Sequence, residues 1–475
     1  MSAFAADHGD EGLRLLIGKA RSGIESLARR KRLVVALTLL IAVAVRLLAV
    51  AYANPEHIVL TWDLAGYDAA AQRLVAKGTY AYPLIVYDSP AVAGYWKMLD
   101  FDTFRAPAID REGLALFMAA EPNAHVLPGY PAFLAAIYRV TGTGAKRLLA
   151  VAILQALLSA FTVVIVYRIA SRVGEKTAMA AMVFSALYVP SVLIVSSILT
   201  ETVYALLLCL LVLGALRMAE RKTLLSAVLL GTVFGASLWV RPTVLPCALA
   251  LLGVLAFTFH GQALRRFLLL ALVALLTGAA VLSPWWVRNA TLYGRWVPFA
   301  TYASHPFLMG YYADHGLQTQ ALTLIAPPEK PRNDYELGMH WNRLAAGARR
   351  EMLRLPVESV RLRAWRVVSS LVRPDGFDLQ WNWQYALLVL AQVVTLCTFV
   401  FGLVSAVRVR ELKVLAIASV PLAVVALQAA VIPLTRYYVP VAPLALIVVA
   451  YGLLRLFGLP DLVPEAELVS PRVDV

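Results

Sequence analysis

Ten stretches of predominantly apolar residues, each close to the length needed to cross a lipid bilayer, constrain this chain more than any other feature. They run roughly over 33–53, 147–167, 177–197, 201–216, 223–240, 243–259, 267–286, 383–405, 413–433 and 437–457. A spanning helix needs about 20 such residues, because hydrocarbon offers no partner for an unpaired peptide group. The 475-residue chain is 60% hydrophobic and only 15% charged, where a soluble domain carries about 25% charged residues. An all-α polytopic membrane protein is therefore expected. Proline interrupts several runs. At Arg241-Pro242 two half-length helices are expected to meet within the membrane, since proline lacks the N–H that a continuous helix needs.

The 43 basic residues exceed the 29 acidic ones, for a net charge of +14. The excess lies beside the apolar runs and not in one polar stretch, so it reads as membrane orientation and not as nucleic-acid binding. Arg29, Arg30, Lys31 and Arg32 precede the first run and set the N-terminus in the cytoplasm. Alternate crossings then bring Arg168, Arg172 and Lys176, Arg217, Arg221 and Lys222, Arg265 and Arg266, and Arg408, Arg410 and Lys413 to the same side. Both termini are expected inside. Residues 128–142 are short for a span and would invert every later loop, so they are expected as a helix at the outer interface.

The expected organisation is a cytoplasmic amphipathic segment at 1–32 and a membrane bundle over 33–286 that includes a first outer loop at 54–146. A second outer segment follows at 287–382, then C-terminal spans over 383–457 and a cytoplasmic tail at 458–475. The segment 10–32 mixes Leu and Ile with bases, as a helix on an anionic leaflet would. No cleavage-site pattern follows the first run closely, which reads as a retained helix and not a signal peptide. Cys209, Cys247 and Cys397 all lie in apolar runs and give neither a disulfide framework nor a metal-binding spacing.

Chemistry is expected on the outer face. Asp63, in Thr61-Trp62-Asp63-Leu64-Ala65-Gly66-Tyr67-Asp68, stands just beyond the first run. A carboxylate there reads equally as a general base or as a helix N-cap. Glu201, at the outer turn between two runs, is either functional or a helix-start acid favoured by the dipole. Arg241, Arg288 and Arg436 lie on the side that positive-inside statistics disfavour, so they call for an anionic partner, for which guanidinium forks suit phosphate; snorkelling anchors are the other reading. His125, His305 and His315 lack the spacing of a metal site, so no metal is indicated. Arg361, Arg363, Arg366 and Arg373 stand among Val, Leu and Trp, as in an amphipathic helix on the outer leaflet.

Six motifs in order carry a resemblance: Asp63 with Tyr67, Pro128-Gly129-Tyr130-Pro131, Leu199-Thr200-Glu201, Val240-Arg241-Pro242-Thr243, Pro284-Trp285-Trp286-Val287-Arg288-Asn289 with Tyr293-Gly294-Arg295, and Arg436-Tyr437-Tyr438-Val439-Pro440. Over residues 60–457 the chain resembles bacterial polytopic glycosyltransferases of family 39, and is similar to lipid A aminoarabinose transferases and protein O-mannosyltransferases. The resemblance implies a GT-C bundle with juxtamembrane helices in the bacterial inner membrane and a periplasmic site. It implies a polyprenyl-phosphate sugar donor and a lipid, glycan or protein acceptor, with no required cofactor.

By the same resemblance Asp63 is the base and Glu201 supports the cavity. Arg288 leads Arg436 and Arg241 as phosphate ligands, with Tyr67, Asp68, His125 and Tyr130 in support. Two departures stand out. Leu64 replaces a second acid found in many relatives, and Val126-Leu127 replaces a lysine found before the proline in some, with His125 and Glu121 nearby. The alternative functions are a lipid-linked glycan flippase, which would show hydropathy repeats and buried mid-membrane charges, and a non-catalytic scaffold for envelope assembly.

Overall fold

The computed structural model describes residues 31–54, 62–82, 121–144, 146–317, 324–328, 331–372 and 383–459. Residues 10–30 of the N-terminal amphipathic segment, Thr61, Arg373 and the tail beyond 459 lie outside them. Every regular element among the described residues is a helix. In chain order these are α1 (Lys31–Ala53), α2 (Trp62–Lys77), α3 (Gly129–Thr141), α4 (Lys146–Ala170), α5 (Glu175–Leu187), α6 (Val189–Leu193), α7 (Glu201–Arg221), α8 (Leu224–Val240) and α9 (Val244–Ala256). They continue as α10 (Gly261–Tyr293), α11 (His305–Asp314), α12 (Asp334–Arg354), α13 (Pro356–Val372), α14 (Trp383–Val409), α15 (Leu412–Ala430) and α16 (Ala442–Leu456), with short 3-10 turns at Thr301–Ser304 and Thr435–Val441.

All ten apolar runs are helical, but not all are single spans. Among the described residues seven helices are long and apolar enough to cross a membrane, and an eighth crossing is available if the bent stretch 175–196 counts as one span. That stretch turns by 54° at a break beside Pro190. The runs at 223–240 and 243–259 are the shorter α8 and α9, which meet at Arg241-Pro242. The count of about ten spans is thus corrected to seven or eight plus a pair of short helices. The protein is a multi-pass membrane protein of helical-bundle type.

Helix α10 has 33 residues, or about 50 Å at 1.5 Å per residue, against a hydrocarbon core of about 30 Å. It can therefore carry Trp285, Trp286, Arg288 and Asn289 beyond the bilayer, and the boundary expected at residue 287 falls inside it. Its seam with α8 depends on small residues. A Cβ on Gly231 would stand 2.4 Å from the Ala274 carbonyl oxygen, and one on Gly278 would stand 2.3 Å from the Phe234 ring. Backbones approach this closely in lipid because dispersion contacts, and not exclusion of water, hold such helices together.

Arg46 is buried in α1 and forms no ion pair among the described residues. Its guanidinium donates to Ser159 Oγ at 2.8 Å and to the carbonyls of Ala42, Ala186 and Ser185 at 3.0, 2.9 and 3.1 Å. Ser185 and Ala186 lie in the last turn of α5, where carbonyls have no intrahelical partner and the dipole favours a cation. The buried charge thus closes the end of a broken span. Arg46→Leu is expected to lower stability by about 1–3 kcal/mol, because orphaned carbonyls outweigh the relief of desolvating the charge. A fall in melting temperature checks this.

The described parts of the two long segments between spans are fastened to each other. Thr301 and Tyr302 donate backbone N–H groups to the carbonyls of Ala124 and His125, at 2.9 and 3.3 Å. The buried Asp334 carboxylate accepts from the Tyr293 hydroxyl at 2.6 Å, Thr301 Oγ1 at 2.8 Å and the Ala124 N–H at 3.0 Å. One side chain at the start of α12 thereby joins the end of α10 to the strap that leads into α3. Helix α3 packs against α2 as a separate 13-residue element.

Candidate active site

Four charged residues from four distant parts of the chain form two adjacent ion pairs. Asp63, in the first turn of α2, accepts from Arg436 Nη2 at 2.7 Å. Glu201, the first residue of α7, accepts from Arg241 Nη2 at 2.6 Å. Arg241 occupies the extended joint between α8 and α9, so the proline that stops α8 also turns its guanidinium toward Glu201. Arg436 comes from the 3-10 turn before α16.

One ring links the pairs. The guanidinium carbons of Arg241 and Arg436 stand 5.2 and 5.1 Å from the centroid of Tyr437, and Arg241 also lies 5.6 Å from the Tyr204 ring. Tyr67, one helical turn beyond Asp63, is within electrostatic reach of all four charges. Its hydroxyl proton is held well above the usual phenol range, first by burial and then by the Asp63 carboxylate; Arg241 pulls the other way, Glu201 adds to the rise and Arg436 opposes it.

The pairs differ in wetness. The side chains of Asp63 and Arg436 are 39% and 35% exposed, whereas Glu201 is fully buried. The outer pair is open to exchange with a ligand, and a pair so exposed adds little to stability. The inner pair is a buried ion pair whose disruption strands a charge. A small cavity bordered by Arg46, Ser159 and Thr202 together with Val163, Ala205 and Leu446 reaches Glu201.

The other expected site residues separate into groups. Tyr130 is fully buried, donates to Gln155 Oε1 at 2.9 Å and meets Tyr67 edge-on at 5.1 Å, so it backs Tyr67. Asp68 is saturated: it takes both Nε and Nη2 of Arg147 at 2.9 Å, the Tyr138 hydroxyl at 2.7 Å and Gln72 at 2.7 Å. Fully buried and fully bonded, it pins α2 to α3 and α4 and offers no lone pair to a substrate. This corrects its expected place in the chemistry. Asp68→Asn is expected to cost about 2–4 kcal/mol by leaving Arg147 unpaired, with turnover per folded molecule unchanged. Thermal denaturation alongside active-fraction titration separates the two effects.

Arg288 also departs from expectation. Its Nη2 donates to the Tyr80 carbonyl and its Nη1 to Asn289 Oδ1, each at 3.0 Å, and the guanidinium rests 4.9 Å from the Trp285 ring. These contacts tie it to the wall behind the first outer segment, not to the four-residue cluster.

His125 and His305 sit in an aromatic stack with Tyr82, Tyr302 and Trp341. Burial lowers both imidazoles to about 3, with His305 adding to the fall at His125 and Asp63 partly opposing it at His305. They are neutral at physiological pH. The unfolded chain binds protons near 6.5, so stability is full above that pH and is lost as pH falls toward 3, by up to about 1.4 kcal/mol per pH unit for each histidine. Melting temperatures across that window should fall less steeply for His305→Phe than for the unsubstituted protein. Among the described residues no group of three or more His, Cys, Asp or Glu side chains could hold a metal ion.

Sequence reading missed Asp334, Arg147 and the histidine stack. Arg147 carried a usable signal, since the expected topology puts it, like Arg241, on the side where Lys and Arg are disfavoured. Asp334 carried none, being one polar residue in a polar loop.

Residues 122–287, from the strap before α3 through most of α10, match the family described as dolichyl-phosphate-mannose-protein mannosyltransferase. The match covers Glu201 and Arg241 and leaves Asp63, Arg288 and Arg436 outside. No curated protein matches the chain. Among solved structures, the chain is similar to an Archaeoglobus fulgidus oligosaccharyltransferase tethered with an acceptor peptide, with a TM-score of 0.51 and 14% identity over 90% of this chain and 49% of that one. It is also similar to the archaeal oligosaccharyltransferase AglB from Archaeoglobus fulgidus in complex with an inhibitory peptide and a dolichol-phosphate, with a TM-score of 0.50 and 13% identity over 90% of this chain and 50% of that one. The fold is of the GT-C type. The chain spans about half the length of these archaeal enzymes. A weaker likeness is to ArnT from Cupriavidus metallidurans bound to undecaprenyl phosphate, with a TM-score of 0.39 and 13% identity over 88% of this chain and 77% of that one. Within the GT-C bundle described here, the two ion pairs gather residues from α2, α7, the α8–α9 joint and the turn before α16.

Proposed function

We propose that the protein is an inverting glycosyltransferase that moves a sugar from a polyprenyl-phosphate-linked donor to an envelope acceptor on the extracytoplasmic side of a bacterial inner membrane. The observation that carries this reading is the Asp63–Arg436 pair beside Glu201–Arg241. A carboxylate and two phosphate-compatible guanidinium groups gather around the Tyr437 ring, with Asp63 and Arg436 partly exposed. Asp63 is the general base, Arg436 and Arg241 are the phosphate ligands, and Glu201 orients Arg241. Tyr67 and Tyr130 form the wall, and Arg288 and His125 support the outer segments.

The closed Asp63–Arg436 pair gives a rationale for order in the reaction. A phosphate competes with the carboxylate for the guanidinium fork, so donor binding draws Arg436 away and leaves Asp63 free to act. Asp63 then takes the proton of the acceptor hydroxyl as its oxygen bonds to the anomeric carbon. The bond from that carbon to the phosphate oxygen breaks, and its electron pair leaves with the polyprenyl phosphate. The added negative charge develops beside Arg436 and Arg241, where fixed cations in a poorly hydrated hollow stabilise it most.

The test is release of polyprenyl phosphate from a panel of synthetic polyprenyl-phosphate sugars by the purified full chain in lipid nanodiscs, with envelope extract as acceptor. Release that depends on both Asp63 and Arg436 is the expected result. Release unaffected by Asp63→Asn and Arg436→Gln overturns the reading.

A further inference from the structure

Helix α13 is amphipathic in the reverse sense to a helix on a water-soluble surface. Two of its arginines point inward: Arg363 and Arg366 grip Asp314 of α11 through Nε, at 2.5 and 2.7 Å, and Arg363 Nη1 donates to the Val431 carbonyl at 2.5 Å. Its outward stripe, at helical spacing, is Val357, Val360, Ala364, Trp365 and Val368, with the valines and Trp365 between 51% and 82% exposed. Leu353 and Leu355 extend the stripe across the joint with α12 and are exposed as well. In water this arrangement would leave a contiguous apolar face uncovered while burying Arg363 and half-burying Arg366.

We infer that this stripe is a docking surface for the outer leaflet, and specifically for anionic lipid. Helix α13 packs against α14 and α15, and α14 exposes Leu387, Leu390, Val394 and Val400, so the stripe continues the lipid-facing surface of the spans. The charge pattern names the headgroup. Between residues 343 and 361 five exposed arginines, Arg343, Arg349, Arg350, Arg354 and Arg361, stand against two exposed acids, Glu351 and Glu358. Arg361 lies within the stripe itself, where its long stem can follow lipid while its head reaches phosphate. Trp365 at the flank is the residue type that settles at the level of headgroups.

The inner face of the same helix reaches the candidate active site. Thr435 Oγ1 donates to the Ser370 carbonyl at 2.8 Å, and Ser370 Oγ donates to the Tyr438 hydroxyl at 3.3 Å. Those two residues flank Arg436 and Tyr437. A helix bedded in the leaflet thus holds the turn that presents Arg436, whatever reaction the hollow performs.

The test uses the full chain in nanodiscs with Cys397→Ser, the other cysteines being buried. A nitroxide is attached at Val360→Cys or, separately, at the second exposed position, Val368→Cys. Collision with oxygen is compared with collision with a water-soluble nickel chelate, in phosphatidylcholine alone and with phosphatidylglycerol added. The expected result is several-fold preference for oxygen at both positions, deepened by phosphatidylglycerol, with the deepening lost in Arg354→Gln/Arg361→Gln. Preference for nickel at either position, spin broadening from a second copy, or no response to phosphatidylglycerol overturns the inference.

Discussion

Asp63→Asn is expected to slow sugar transfer by on the order of 10²–10⁴-fold, the usual contribution of a positioned general base, without weakening donor binding. Asparagine keeps the size of the side chain and removes only its charge and basicity. In the unsubstituted protein Arg436 is already engaged by the carboxylate at 2.7 Å. The substitution frees that guanidinium, so polyprenyl phosphate should bind at least as tightly as before. A loss in kcat with an unchanged or lower apparent dissociation constant for the lipid phosphate distinguishes a base from a residue that merely shapes the hollow, whose removal would weaken both. Turnover and lipid-phosphate binding measured on the same preparation check the pair of outcomes.

The second large effect is on stability. Arg241→Ala removes the partner of a fully buried carboxylate, and stranding such a charge costs about 3–5 kcal/mol. Glu201→Leu with Arg241→Met should recover much of that loss, because two apolar side chains of similar volume need no compensating charge. The double variant should fold and remain inactive, since it lacks the phosphate ligand proposed at Arg241. Chemical denaturation in detergent, compared across Glu201→Leu, Arg241→Met and the two combined, gives the coupling between the residues; a coupling near zero would show that the pair contributes nothing to the fold. The exposed Asp63–Arg436 pair predicts the opposite pattern, a small effect on stability and a large one on rate.

The helices were legible because lipid enforces one rule, that every backbone group be bonded within its own segment. Each apolar run therefore became helical, and Pro242 marked a real break between α8 and α9. Length was less legible. Nothing in the run at 177–197 distinguishes a straight span from the bent pair around Pro190, since proline is tolerated within membrane helices when neighbours satisfy the freed carbonyls. Here Arg46 does so from another helix.

At the site, Asp63 and Glu201 were visible as acids at the ends of apolar runs and Arg241 and Arg436 as arginines on the side where bases are disfavoured, but their pairing was not. Asp63 and Arg436 are 373 residues apart, and no local pattern encodes which acid meets which base. Arg288 looked like the leading phosphate ligand because an arginine beyond Trp285-Trp286 has the right chemistry and the right depth. Its guanidinium is nonetheless spent on the Tyr80 carbonyl, and Asp68, one turn from Asp63, on Arg147. Whether a charged side chain is free or already bonded is decided by tertiary packing.

A structure of the protein in nanodiscs with polyprenyl phosphate bound tests the central claim most directly. The phosphate is expected within about 3 Å of the Arg436 guanidinium, next to Arg241, with Asp63 no longer paired to Arg436. A phosphate bound elsewhere, with the Asp63–Arg436 pair intact, would contradict it.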